Sequence, residues 1–272
     1  ADVVWTISQQ LGFYKKLSAN QMSNQLPNVQ ILDRKDELFS ILTDLNVDFI
    51  PLTFVLFRDH AKFNEHVAQQ NSETFIFKPS LSSRGNGILF IKRLPEQFDK
   101  AVVQRVIEPF LINGKKFDLR VYCLLFKNKI FKFNQVLARF CNLVYNGDFD
   151  QQRQLTNTFI NKNFVNFSDL KLPFQQEIGL QTNEIIVKTI LAVQNKLFSS
   201  QKKVNHFNQF CLLGFDIIIS REQKCYLLEV NASPSLQVNC DVDGKIKKKL
   251  IRDLIQVIQG GQKGGFKEIG EM

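Results

Sequence analysis

Three short segments of this chain put charged residues inside otherwise apolar, strand-like runs. In Lys116-Phe117-Asp118-Leu119-Arg120-Val121-Tyr122 the residue types alternate. Alternate residues of a strand share a face, so Lys116, Asp118 and Arg120 point one way and Phe117, Leu119 and Val121 the other. So regular an apolar face must pack on a core, which leaves the charged face as a solvated edge or the wall of a polar cleft. The second segment runs Gly214-Phe215-Asp216-Ile217-Ile218-Ile219, a polar turn, then Cys225-Tyr226-Leu227-Leu228-Glu229-Val230-Asn231. With the turn near Glu222 and Gln223, Asp216 faces Glu229 across a hairpin and Asn231 follows two positions along the same face. Facing carboxylates in apolar strands repel unless a cation separates them. Oxygen donors from Asp, Glu and Asn suit Mg²⁺. A surface hairpin of solvated acids fits poorly, because Ile217–Ile219 and Tyr226–Leu228 leave few polar positions. The third segment is Lys78-Pro79, then Ser82-Ser83-Arg84-Gly85-Asn86-Gly87. A strand ending in Lys, followed by a glycine-rich tip carrying Arg, can fold over phosphates. Alone it could equally be a linker, and the GxxxxGK[ST] spacing is absent.

The elements that must position these residues read as mixed strands and helices with hairpins outnumbering βαβ units, an α+β architecture. A helix opens at Asp33–Asp36 with Leu38, Ile41, Leu42 and Leu45 on one face. Pro51 precedes a strand over Leu52–Phe57, and 58–70 reads as an amphipathic helix. Strands are expected at Phe75–Lys78, Ile88–Lys92 and Val102–Ile107. Two long ones, Phe117–Phe126 and Lys129–Phe140, flank a Lys127-Asn128 turn. Tyr145–Lys171 reads as irregular, Glu184–Phe198 as a helix, Phe210–Ser220 and Lys224–Asn231 as paired strands, and Ile246–Ile258 as the last helix. The glycines from Gly260 to Gly265 suggest a mobile tail.

Composition narrows the partners. The chain has 272 residues, 44% hydrophobic, with 26 Phe to fill a core, which is a globular composition. No apolar run is long enough to cross a bilayer and no leader pattern opens the chain; its start without Met suggests that an upstream segment is missing or processed. Five Cys without a CxxC pair and three scattered His argue against zinc or a disulfide framework and fit a reducing compartment. A net charge of +9 and a pI near 9.3 attract polyanions. No RRM, zinc-finger or helix-turn-helix pattern supports nucleic acid among them.

Together the three segments resemble the ATP-grasp signature, and within it the tubulin tyrosine ligase-like family. The resemblance covers nearly the whole chain. It runs from Leu26-Pro27-Asn28 and Arg34-Lys35-Asp36 through Lys78-Pro79, Gln104-Arg105-Val106-Ile107, Gly114 to Arg120, and Leu155-Thr156-Asn157. It ends in Gly214-Phe215-Asp216 and Glu229-Val230-Asn231-Ala232-Ser233-Pro234-Ser235-Leu236. Ala138-Arg139-Phe140 and the Gly-Gly-Phe266 close look most like the smaller, core-domain-only polyglutamylases.

The resemblance implies an ATP-grasp fold with a nucleotide held between two mixed or antiparallel sheets. It divides the chain into a partial N-terminal segment (1–33), a central subdomain (34–108), a C-terminal subdomain (109–259) and a flexible tail (260–272). By the family pattern Lys78 and Lys116 hold ATP phosphates, and Arg84 and Gly85 belong to the covering loop. Gln104, Arg105, Val106 and Ile107 form the strand facing adenine, Phe117 and Asp118 sit by the nucleotide, and Thr156 and Asn157 lie in a contacting turn. Asp216, Glu229 and Asn231 bind Mg²⁺ across the cleft from the 116–120 strand. Arg120, Arg139 and Lys247 grip substrate carboxylates, with Lys78, Lys116 and Arg120 the catalytic set. The implied activity is ATP- and Mg²⁺-dependent addition of glutamate to tubulin C-terminal tails through an acyl phosphate. Its partners would be tubulin or microtubules, free L-glutamate and possible accessory subunits, without nucleic acid or a membrane span. Its place would be the cytoplasm, cytoskeleton, and cilium or flagellum. A glycine or tyrosine ligase of the same fold, and a non-catalytic microtubule- or axoneme-binding module, are the competing readings.

Overall fold

The computed structural model describes residues 2–6, 18, 21–80, 86–147, 154, 156, 163–198 and 209–272. Its organising element is β8 (Lys115–Phe126), a 12-residue strand that changes neighbour along its length. Its first half pairs with β10 (Leu137–Phe140) and its second half with β9 (Lys129–Phe133). The single strand expected over 129–140 is therefore two, broken at 134–136, because one partner cannot follow β8 through the change. On the other side β8 pairs with β12 (Phe210–Ile219), which forms a hairpin with β13 (Cys225–Asn231). Strands β7 (Leu111–Ile112), β11 (Asn163–Asn166) and β14 (Phe266–Glu271) complete an eight-stranded sheet.

Period-2 alternation decides what lies on each face of β8. Phe117, Leu119, Val121, Cys123 and Leu125 are buried against α4 (Gln175–Leu197) through Ile178, Ile185, Ile186, Ile190 and Val193. On the opposite face Tyr122, Leu124 and Phe126 pack against α5 (Asp241–Ile258) through Ile246, Leu250 and Leu254. Helix α4 begins nine residues before the expected Glu184. The Gln-rich first turns hide the one apolar position, Ile178, that continues the inward face.

A second sheet of four strands has the order β3 (Thr53–Val55), β6 (Ala101–Arg105), β4 (Phe75–Pro79), β5 (Leu89–Ile91). Phe75, Phe77 and Val103 turn to α3 (Leu56–Gln69), joining Phe54 and Phe63 in a separate aromatic cluster. Ile76, Lys78 and Gln104 turn the other way, toward the large sheet. Helix α1 (Gln30–Asp33) and α2 (Lys35–Asp44) pack beside both. Leu45, expected on the inner face of α2, is 57% exposed because the helix ends at Asp44. Residues β1 (Asp2–Val4) and β2 (Gln21–Ser23) form a short parallel pair.

The connection between the sheets is tied down. Phe110 N donates to Ile219 O at 2.9 Å and Arg221 N to Glu108 O at 2.9 Å, so segment 108–110 is bonded to the end of the β12–β13 hairpin. Leu227 N donates to Phe49 O at 2.8 Å.

The expectation of a flexible 260–272 tail is corrected: β14 lies there, antiparallel to β9. Asp253 on α5 accepts from Gly265 N at 2.7 Å, and Gly264 passes close to it at φ +52°. The buried Phe266 ring tilts against Phe133 with centroids 5.1 Å apart. Replacing Phe266 by Ala is expected to cost about 3–5 kcal/mol by emptying that site and to free the β9 edge. The drop in the urea midpoint measures it.

Candidate functional site

A cleft of about 440 Å³ lies between the two sheets, within the range of about 300–1,000 Å³ that small-molecule pockets occupy. Its lining carries seven cationic and five acidic side chains.

The large sheet contributes a charged lattice fixed by register. Asp216 pairs directly with Arg120 on one side and with Glu229 on the other, and Gly214 faces Asn231. Asp216 and the 116–120 strand are thus neighbours within one sheet, and not on opposite walls as expected, because β8 and β12 are adjacent. Arg120 grips both oxygens of Asp216, with Nη2 to Oδ2 at 3.0 Å. Arg139 holds both oxygens of Asp118, each at 2.6 Å, and reaches Asp216 Oδ2 at 2.9 Å. Thr156 Oγ1 also donates to Asp118. Burial by itself would raise the Asp216 carboxyl, but Arg120 and Arg139 outweigh it and hold that group well below the usual carboxylate range. Burial likewise opposes charge on Arg139, and Asp118 and Asp216 reverse it, so this guanidinium is raised well above its ordinary value. Gly214 makes the lattice possible. A Cβ there would meet Pro234 Cβ at 3.0 Å and Arg120 Cδ at 3.1 Å, so only glycine lets the Arg120 side chain lie across the strand.

The expected cation between Asp216 and Glu229 has its counterpart in protein groups: Arg120 takes Asp216, and Lys35 stands 3.5 Å from Glu229. Asp216 still has lone-pair capacity, since three of about four acceptor positions are used. Asn231 donates through Nδ2 to Gly214 O at 3.4 Å, which turns Oδ1 to other uses. Two carboxylates and an amide oxygen side by side fit a hard, oxygen-liganded divalent cation that keeps water. Among the described residues no three His, Cys, Asp or Glu gather as a metal site; this set is two acids and an amide.

Two buried lysines behave differently from the arginines. Lys78 Nζ donates to Gln104 Oε1 at 2.7 Å and Leu228 O at 3.4 Å. Lys116 Nζ donates to Gln154 Oε1 at 2.9 Å. Among the described residues neither ammonium has a carboxylate at ion-pair distance. Burial pushes Lys78 down to about 8, with Glu229 opposing from farther off, and lowers Lys116 as well. A buried ammonium without a counter-charge is costly, and an anion in the cleft supplies the missing partner. Phosphate oxygens fit that need.

At the mouth Lys247 donates to Gln237 O at 2.6 Å and to Asp243 at 2.9 Å, and Asn239 N donates to Asp243 at 2.9 Å. This clamps the 232–240 loop onto α5; burial lowers Lys247 against the pull of Asp243.

The structure therefore brings together Lys78, Gln104, Arg105, Val106, Ile107, Lys116, Asp118 and Arg120 with Arg139, Thr156, Asp216, Glu229, Asn231 and Lys247. Phe117 differs from the rest: alternation sends its side chain to the opposite face, where it stacks on Phe140 at 5.1 Å, so only its backbone lies on the cleft strand. Arg84, Gly85 and Asn157 lie outside the described residues. Lys35, Gln154 and Asp243 were missed. Nothing in their local spacing marks them, since each acts through a partner distant in sequence or one helical turn away.

A family model described as the tubulin-tyrosine ligase family matches residues 14–263. The chain is 28% identical to "Tubulin polyglutamylase ttll-5" of Caenorhabditis elegans over 89% of its length and 41% of that protein. It is 31% identical to "Probable beta-tubulin polyglutamylase" of Tetrahymena thermophila over 94% of its length and 26% of that protein. It is 29% identical to "Probable alpha-tubulin polyglutamylase Ttll1" of the same organism, covering 79% of this chain and 61% of that one. The chain thus spans between about a quarter and three-fifths of these relatives.

Proposed function

Because the chain belongs to the tubulin-tyrosine ligase family, we propose that it is an ATP- and Mg²⁺-dependent ligase that adds glutamate to glutamate side chains of tubulin C-terminal tails. The observation that carries this reading is a pair of buried lysines with no carboxylate at ion-pair distance among the described residues, Lys78 from the small sheet and Lys116 from the large one, lining one cleft with the Asp216–Glu229–Asn231 oxygen set. In this reading the fold is of ATP-grasp type, with the nucleotide between the two sheets. The relatives are named as tubulin polyglutamylases, and the +9 net charge suits an acidic tail as partner.

Each group then has a task. Lys78 and Lys116 hold phosphate oxygens and neutralise charge that builds there during transfer. Gln104, Arg105, Val106 and Ile107 line the adenine side; Arg84, Gly85 and Asn157 belong to the nucleotide-contacting loops by family pattern. Asp216, Glu229 and Asn231 would hold Mg²⁺, which when bound supplies positive charge to the phosphates. A tail carboxylate attacks the γ-phosphorus and ADP leaves. The α-amine of free glutamate then attacks the acyl phosphate, phosphate departs and the amine's proton is lost, leaving an amide bond. Arg120 and Arg139 already hold Asp118 and Asp216. Their part is to keep the acid lattice in place while their remaining donors, with that of Lys247 beside Asp243, meet a substrate carboxylate. Work on microtubules of the cytoskeleton or cilium follows from the same reading.

The test is incorporation of radiolabelled glutamate, glycine and tyrosine into purified tubulin with and without ATP. ATP-dependent glutamate incorporation alone is expected. Glycine incorporation would replace the substrate, and no incorporation of any of the three would remove the ligase.

A further inference from the structure

The cleft treats its two kinds of cation in opposite ways. Arg120 and Arg139 are each bidentate to a buried aspartate. Lys78 and Lys116, equally buried, are each held by the amide oxygen of a glutamine. Glutamine and glutamate have the same shape, and a carboxylate at either position would make an ordinary ion pair. The chain instead places an acceptor without charge at both.

The Gln104 amide is oriented by a chain of bonds and needs no assumption about which end is which. Thr53 Oγ1 donates its single proton to Pro51 O at 2.6 Å. It can then only accept, and the partner 3.0 Å away must be a donor, the Gln104 Nε2 group. That leaves Oε1 for Lys78. Gln104 is fully buried, so no solvent competes. Gln154 is 3% exposed and does the same for Lys116 from a segment far from β6. Lys116 is near enough to disfavour the charge on Lys78, which Glu229 and Asp216 offset only in part against burial, so an anion shared by the two ammonium groups would be favoured.

We infer that Gln104, set by Thr53, and Gln154 are positioning residues that aim the Lys78 and Lys116 ammonium groups through uncharged acceptors, so that both charges stay available to the phosphate groups of one bound nucleotide. The inference rests on the nucleotide half of the proposed function and not on its tubulin half. Neither glutamine need touch the phosphates. Each acts by what it withholds, a negative charge.

The test uses the whole chain and Gln104→Glu, with Gln154→Glu as a second variant at an independent position. Titration calorimetry with Mg²⁺-ATP and with tripolyphosphate is expected to show binding weakened about 10- to 100-fold for each, the size of one charge-assisted contact. The nucleotide-free melting temperature is expected to hold for Gln154→Glu, whose new carboxylate satisfies the same ammonium, and to fall by no more than one lost hydrogen bond for Gln104→Glu, where Thr53 Oγ1 must turn its proton from Pro51 O to the carboxylate. Wild-type affinity in both variants would overturn the inference, as would parallel loss of affinity and heat stability, which marks the glutamines as packing alone. Wild-type chain that binds neither ligand would overturn it too. The ligase reading fails separately, through nucleotide binding without incorporation of any amino acid into tubulin.

Discussion

Asp216→Ala is expected to destabilise the fold by about 3–5 kcal/mol, whereas Glu229→Gln, one strand away, is expected to change stability by less than about 1 kcal/mol and still abolish glutamate incorporation. The two carboxylates face each other across the hairpin, but their surroundings differ. Asp216 lies between two guanidiniums whose side chains are 11% and 6% exposed. Removing it strands the Arg120 charge in a low-dielectric site and leaves Arg139 with Asp118 alone. The Glu229 side chain is 36% exposed and its ion pair with Lys35 spans 3.5 Å, so water screens what the substitution removes. Its acid is needed only when the divalent cation and phosphates are present. Urea denaturation of both variants, beside incorporation assays, separates the roles. Equal stability losses would remove the lattice argument, and retained incorporation in Glu229→Gln would remove the metal assignment.

Lys78→Met is expected to raise the stability of the nucleotide-free chain while eliminating its stabilisation by Mg²⁺-ATP. The ammonium sits among neutral acceptors, and burial holds it near 8 instead of its ordinary 10.5. A lysine lowered in the folded state binds its proton less tightly there than in the unfolded chain. Below about 8 the fold therefore carries the full cost of that charge, roughly 3 kcal/mol. As pH rises from about 8 through 10.5, the folded group has lost its proton and the unfolded one still holds it, so stability increases. Methionine has no proton to bind, and that alkaline gain should vanish from the pH profile of urea midpoints. Thermal shift with Mg²⁺-ATP, a mass-action effect in the wild-type chain, should vanish with it. A variant that is less stable at pH 7, or that still responds to nucleotide, would show that Lys78 serves packing.

Much of this site is written in local pattern. The alternation of 116–122 determines both faces of β8, and the spacing of Asp216, Glu229 and Asn231 gives the Asp216–Glu229 and Gly214–Asn231 pairings, though a bulge between Asp216 and Ile217, which no local pattern announces, shifts the pairs at 217–219 by one. What stays hidden depends on residues far apart in the chain. That a cation must accompany Asp216 follows from its apolar neighbours; that it is Arg120 depends on β8 lying beside β12, a pairing 96 residues apart. Lys35, Gln154 and Asp243 have no period to betray them. The split of 129–140 and the β14 strand escaped for a related reason: one follows from a change of partner, the other from an edge that a glycine-rich tail happens to cover. Apolar periodicity likewise missed the first turns of α4, where glutamines interrupt it.

The bonds at 108–110 carry one more consequence. Swinging the small sheet away from the large one would break two backbone links to the hairpin end, about 0.5–1.5 kcal/mol each, and would strain a third at Phe49. The jaws are therefore braced at the joint. Opening the cleft at that joint thus costs the chain a few kcal/mol before any guest arrives, and part of the work of arranging the charges on the two walls is done during folding.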